Sequence, residues 1–260
     1  MKKVNLILVF VLCAYLQSNA QFYLGIKAGL NFHNFGVSKE QKEYFRPSMK
    51  MGFQMGATAE IALSGRFGIQ MEALYAQRGS KYSSNFELKD DQNNSVIINA
   101  KENLSYIEIP LLLKYNFRGR EMGGYLLAGP QLGFAMKGKW SGTFTSSKSD
   151  TPINDVTLKF GSTRSDNYKK SSLGLAIGAG FFYELEVGKI VADVRYVLGL
   201  SNIVANPTSV SGPSIVINQN GDYIPLAPAA IAGNSDTNHI TNNAVMISVG
   251  YAFPLGRGGW

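Results

Sequence analysis

Between Phe22 and Phe253 the chain carries eight runs in which apolar and polar residues alternate, the period-two signature of strands with one apolar face. In the fourth run Ile107, Ile109, Leu111, Leu113, Tyr115 and Phe117 hold one parity, and Tyr106, Glu108, Pro110, Leu112, Lys114 and Asn116 hold the other. The sixth sets Leu173, Leu175, Ile177, Ala179, Phe181, Tyr183 and Leu185 against Gly174, Ala176, Gly178, Gly180, Phe182, Glu184 and Glu186. The seventh opposes Ile190, Ala192, Val194, Tyr196 and Leu198 to Val191, Asp193, Arg195, Val197 and Gly199. In the first, Phe22, Leu24, Ile26, Ala28, Leu30 and Phe32 face away from Lys27, Asn31 and His33. The second and third carry Gln54, Glu60, Gln70 and Glu72 on their polar side, and Gly124 to Met136 and Asn243 to Phe253 complete the set. Each run reaches the roughly 9–11 residues that a tilted strand needs to cross a bilayer.

The connections alternate in length. Those around 35–49, 83–101, 138–171 and 202–242 are long, whereas 64–66, 118–123 and 187–189 are short. Long exterior loops alternating with short periplasmic turns are the layout of a bacterial membrane barrel. The expected fold is therefore all-β: an eight-stranded antiparallel up-and-down transmembrane β-barrel with long extracellular loops and both termini in the periplasm. Phe22, Phe67, Tyr115, Phe117, Tyr183, Tyr251 and Phe253 share the apolar parity at the periplasmic strand ends, as an aromatic girdle at the head-group level would require. A soluble barrel of lipocalin type is the alternative, and it would put the apolar face inward.

Residues 1–20 read as an export signal to be removed: Lys2 and Lys3 lead, Val4 to Leu16 are apolar, and Ser18-Asn19-Ala20 resembles a cleavage site. The domain is then 21–260, undivided by any repeat or linker, with Pro254 to Trp260 an unassigned tail. Cys13 is the only cysteine and lies in the signal, so the mature chain offers no thiolate for a disulfide, a metal or nucleophilic attack. Two of the 25 basic residues also lie there, leaving 23 against 18 acidic ones and a net charge of +5. In sequence that excess is scattered, with Lys169-Lys170 its densest point, which argues against nucleic acid as a partner. Outer-membrane lipid and lipopolysaccharide are the expected surroundings.

Lys27, Glu60, Gln70, Glu72, Glu108, Lys114, Gln131, Glu184, Asp193 and Arg195 all have inward parity. An eight-stranded barrel is just wide enough for side chains to fill, so these groups must pair with one another in a structural network. Catalysis is not expected. His33 at an exterior strand end and His239 in the longest loop are the only histidines, and neither has the neighbours that a nucleophile, base and acid arrangement needs. No cofactor or metal is indicated, and Gly174, Gly178 and Gly180 relieve crowding on an inner strand face rather than cradle phosphate. Loops 138–171 and 202–242 are the expected place for any envelope protein partner. Within the second, Ser214 to Ile217 and Tyr223 to Ile231 are apolar enough for a lid over the mouth or for a contact surface.

Four segments carry a resemblance: Gly25 to Phe32, Tyr106 to Lys114, Gly129 to Gly133, and Asp193 to Tyr196. Together they resemble the PorT-like outer-membrane β-barrel family of Bacteroidetes-type Gram-negative bacteria. The resemblance implies an outer-membrane location and a barrel, and it leaves the role open. Three are carried forward: a structural or docking barrel, a narrow porin-like channel for small solutes, and an accessory component of an envelope secretion system.

Overall fold

The computed structural model describes residues 21–36, 45–63, 66–84, 88–89, 95–118, 121–146, 150–161, 168–205, 215–217, 223–225 and 240–255. Residues 1–20, expected to be an export signal, His239 and residues 256–260 lie outside these, as do the apolar loop side chains of 214–231.

Eight strands make the wall: β1 (Gln21–Gly36), β2 (Lys50–Ala62), β3 (Phe67–Arg78), β4 (Ser95–Arg118), β5 (Met122–Ser146), β6 (Ser171–Glu184), β7 (Lys189–Gly199) and β8 (Thr241–Leu255). Each pairs antiparallel with its neighbours in sequence, and β1 pairs with β8 from Phe22↔Leu255 to Gly36↔Thr241, which closes the ring. Closure leaves no unpaired strand edge facing lipid.

The faces fall as the alternation requires. Leu24, Ile26, Leu111, Leu113, Ile177 and Val194 are exposed on the outside, while Glu108 and Lys114 are fully buried within. That orientation excludes the lipocalin alternative. On β4 the outward row from Ile107 to Phe117 covers, at about 3.3 Å per residue and a tilt of about 40°, roughly 25 Å, the height of a hydrocarbon band. At its periplasmic edge the girdle is in contact: ring centroids are 5.0 Å apart for Phe67–Tyr115 and for Tyr115–Phe117, and 4.6 Å for Tyr251–Phe253. Gly188, at φ +84°, makes the tight turn between β6 and β7.

The wall departs from expectation above the membrane. Strands β4 and β5 are 24 and 25 residues long and stay paired from Arg118↔Gly123 to Val96↔Ser146, so much of the expected loops 83–101 and 138–171 is strand. Asp150–Leu158 adds a further strand on β5, while Lys81–Ser84 pairs with β4 and with Phe45–Ser48. A bulge sets Met136 as an extra residue opposite the Ser105–Tyr106 step and marks the changeover. Beyond it Lys101, Asn103, Lys137 and Lys139 point outward, and Leu104, Trp140 and Leu158 point inward. The solvent outside has become water, so the faces exchange polarity, and a search for apolar-out alternation stops where the bilayer stops.

Leu111→Arg, near the middle of the lipid-facing band, is expected to lower unfolding free energy in phospholipid vesicles by about 2–4 kcal/mol. Denaturant titration followed by tryptophan fluorescence measures it, and an unchanged midpoint would contradict the lipid-facing placement.

Candidate functional site in the barrel lumen

Inward parity brings side chains from opposite walls together in three layers. In the middle layer Lys27 of β1 donates to Glu72 Oε1 at 3.0 Å and to Asp193 Oδ2 at 2.6 Å. Arg195 of β7 grips Glu72 with both terminal nitrogens, Nη1 to Oε2 at 2.7 Å and Nη2 to Oε1 at 2.6 Å, the bidentate fork that guanidinium and carboxylate share. Ser248 donates to Asp193 Oδ1 at 2.9 Å and Tyr125 to its Oδ2 at 3.1 Å. Two strand glycines make this possible: a Cβ on Gly178 would stand 2.8 Å from Arg195 Cγ, and one on Gly180 2.5 Å from Tyr125 Cζ.

Toward the periplasm, Glu60 receives Lys114 at 2.9 Å and Lys189 at 3.2 Å. Lys114 also donates to Gln70 Oε1 at 3.4 Å and sits 4.0 Å over the Tyr125 ring, while Lys189 sits 3.8 Å over Tyr23. Gln70 in turn donates to Glu72, which links this layer to the middle one. Toward the exterior, Glu108 accepts from Arg78 Nε at 2.5 Å and from Gln131 at 2.6 Å, and the Arg78 guanidinium lies 4.5 Å over the Tyr106 ring. Burying charge is strongly unfavourable unless it is paired, and each of these carboxylates has a cation within 3 Å.

Nine of the ten inward residues named from the sequence are thus buried and hydrogen-bonded within the lumen. Glu184 is the correction. It is the last residue of β6, paired in register with Lys189, and its side chain is exposed at the periplasmic rim, past the end of the lumen. Arg78 and Lys189 were missed, although extending the parity of β3 and β7 by one step finds both. His33 is buried inside the wall at the exterior end of β1, as its parity suggested.

Above the charged layers the lumen is stoppered by an apolar cluster that includes Phe35, Leu104, Trp140, Leu158, Tyr168, Ile203 and Ile240. The roots of the last two long connections supply Tyr168, Ile203 and Ile240, held by Lys169 N–H to Ile203 O at 2.8 Å and Ile203 N–H to Ile240 O at 2.9 Å. Tyr168 also donates to Glu102 Oε2 at 2.7 Å, which satisfies a carboxylate buried among apolar groups. The lid or contact surface expected from Ser214 to Ile217 and Tyr223 to Ile231 falls on side chains outside the described residues; the described stopper is built from strand ends and loop roots.

A family model described as outer membrane protein beta-barrel domain matches residues 17–205. The chain belongs to that family. The match spans β1 to β7, and β8 completes the ring beyond it. The protein is accordingly an integral barrel of the cell outer membrane. Among solved structures it is similar to the outer membrane protein OprG from Pseudomonas aeruginosa, at 15% identity over 92% of this chain and 99% of that one, with a TM-score of 0.43. It is also similar to Ail of Yersinia pestis in complex with a heparin analogue, at 13% identity, 90% and 99% coverage and TM-score 0.37. A third is the outer membrane protease OmpT from Escherichia coli, at 13% identity, 91% and 96% coverage and TM-score 0.37. No curated protein matches the chain.

Glu72→Gln removes the carboxylate that Lys27 and Arg195 share, and it is expected to destabilise the barrel by roughly 3–5 kcal/mol. Glu184→Gln, on an exposed group, is expected to leave stability unchanged. Heat-modifiable gel migration across a temperature series compares the two, and equal behaviour would show that the lumen tolerates an unpaired charge.

Proposed function

We propose that this outer-membrane barrel is closed and non-catalytic, and that it serves as a structural or docking component whose working surface is its exterior end. The observation that carries this reading is the fill of the lumen. Three layers of paired charges are followed by an apolar stopper, so a solute crossing the wall would have to break several buried ion pairs and displace Trp140 and Tyr168. Rigid walls with exterior connections are the arrangement in which binding residues are carried on loops.

The closer affiliation we infer is PorT-like. Its four marker segments contribute Lys27, Glu108, Lys114, Gln131, Asp193 and Arg195, all of them in the lumen. Such markers describe how the barrel is held shut, so they support the affiliation without selecting a role in secretion. A non-catalytic reading is supported by His33, whose two ring nitrogens are buried without a hydrogen-bond partner and so have no acid or nucleophile to work with.

Planar-bilayer recording of the purified chain is expected to show no steady single-channel steps. Such steps would overturn the closed reading in favour of a narrow channel for small solutes. Deleting about 212–232 and crosslinking in intact cells tests the docking role: loss of a crosslinked envelope protein with an intact barrel is expected, and an unchanged set of crosslinks would count against that segment.

A further inference from the structure

Between the Glu108 layer and the stopper the lumen keeps a small polar cavity, lined on one side by Arg78 and Gln131 and on the other by Ile203. We propose that this cavity is a binding site for a single halide-sized anion. The proposal rests on the barrel fold alone and is independent of what the exterior end docks.

The cavity forms where the β7–β8 seam ends. Strand β7 pairs with β8 from Lys189↔Ala252 to Val197↔Ala244, whereas β8 stays paired with β1 as far as Thr241. Past Val197 the two strands are tied through a side chain, the Gly199 N–H donating to Asn243 Oδ1 at 3.0 Å. Gly174 and Gly199 form the outermost pair of β6 with β7, and both have inward parity, so no side chain of theirs fills the space. Ser172, Val197 and Asn242 complete the lining, and there is room for one water-sized or halide-sized particle. A phosphate or a sugar is too large. Ser201, only partly buried, lies on the side toward the exterior.

The lining is rich in donors that lack an acceptor. Arg78 is buried and permanently charged, and its one acceptor among the described residues is Glu108, reached through Nε at 2.5 Å, which leaves both Nη groups uncommitted. Ser172 is buried beside it. A Cβ on Gly133 would stand 2.5 Å from Ser172 Oγ and 3.4 Å from Arg78 Nη2, so hydroxyl and guanidinium converge on one region. Both amide atoms of Asn242 are buried without a hydrogen-bond partner, as is the hydroxyl of the neighbouring Tyr106. Orphaned polar groups of this kind are rare in a folded interior and call for a partner. The two carboxylates nearby are already engaged: Glu108 accepts from Arg78 and, at 2.6 Å, from Gln131, and Glu102 accepts from Tyr168 at 2.7 Å. What faces the cavity is therefore N–H and O–H groups with one permanent positive charge. Arg78 repels a cation there, whereas an anion accepts from Arg78, Ser172 and Asn242 together.

The test crystallises the full mature chain with bromide in place of chloride and reads anomalous scattering at the bromine edge. A bromide peak in the cavity, within hydrogen-bond reach of Arg78, Ser172 and Asn242, is expected. An ordinary water there with no anomalous peak would overturn the proposal. In solution, the midpoint of heat-modifiable migration is expected to rise in potassium chloride relative to potassium gluconate at equal ionic strength, because a bound ion stabilises the folded barrel. Ser172→Ala and Asn242→Leu each remove a donor and leave the Arg78–Glu108 pair in place. Each is expected to raise the chloride concentration needed for half of that rise by about tenfold, with migration in gluconate verifying the fold. A wild-type midpoint equal in the two salts, or a chloride response unchanged in either variant, would also overturn it.

Discussion

Hydrocarbon offers a backbone no hydrogen-bonding partner, and everything in this fold follows from that constraint. A strand in the bilayer must pair on both edges, so the sheet has to close, and the long β1–β8 register supplies the closing seam. Closure around eight strands then fixes a lumen too narrow for bulk water. Because side chains alternate across a strand, filling the outside with Leu, Ile, Val and aromatic residues forces the other parity into that lumen. The polar residues there have to satisfy one another, and the Lys27–Glu72–Arg195–Asp193 group is the densest solution.

The same reasoning explains why the structure has two kinds of interior. Within the membrane the inside is charged because the outside must be apolar. Above it, where β4 and β5 rise into water, the inside becomes an apolar core around Trp140 and Tyr168 and the outside becomes lysine. The bulge at Met136 falls at the boundary and lets β5 change the parity that faces outward. One chain therefore follows the packing rules of a membrane protein and of a water-soluble sheet in succession.

The carboxylates and cations of the three lumen layers are each committed to partners from other strands. Among the described residues, what the fold leaves unpaired includes both ring nitrogens of His33, buried at the exterior end of β1.

The strand parity, the closure into eight strands, the periplasmic girdle and nine of the ten interior polar residues could be read from the sequence, because each depends on local alternation measured against lipid. Glu184 was misplaced since parity says which face a residue takes but not where along the strand the lumen ends. The long upper strands and the stopper were hidden for a different reason. Above the bilayer the solvent changes and parity loses its meaning, and Tyr168, Ile203 and Ile240 meet Trp140 and Leu158 only through tertiary packing. Local alternation fixed the wall, and only three-dimensional pairing decided what closes it and what its exterior presents.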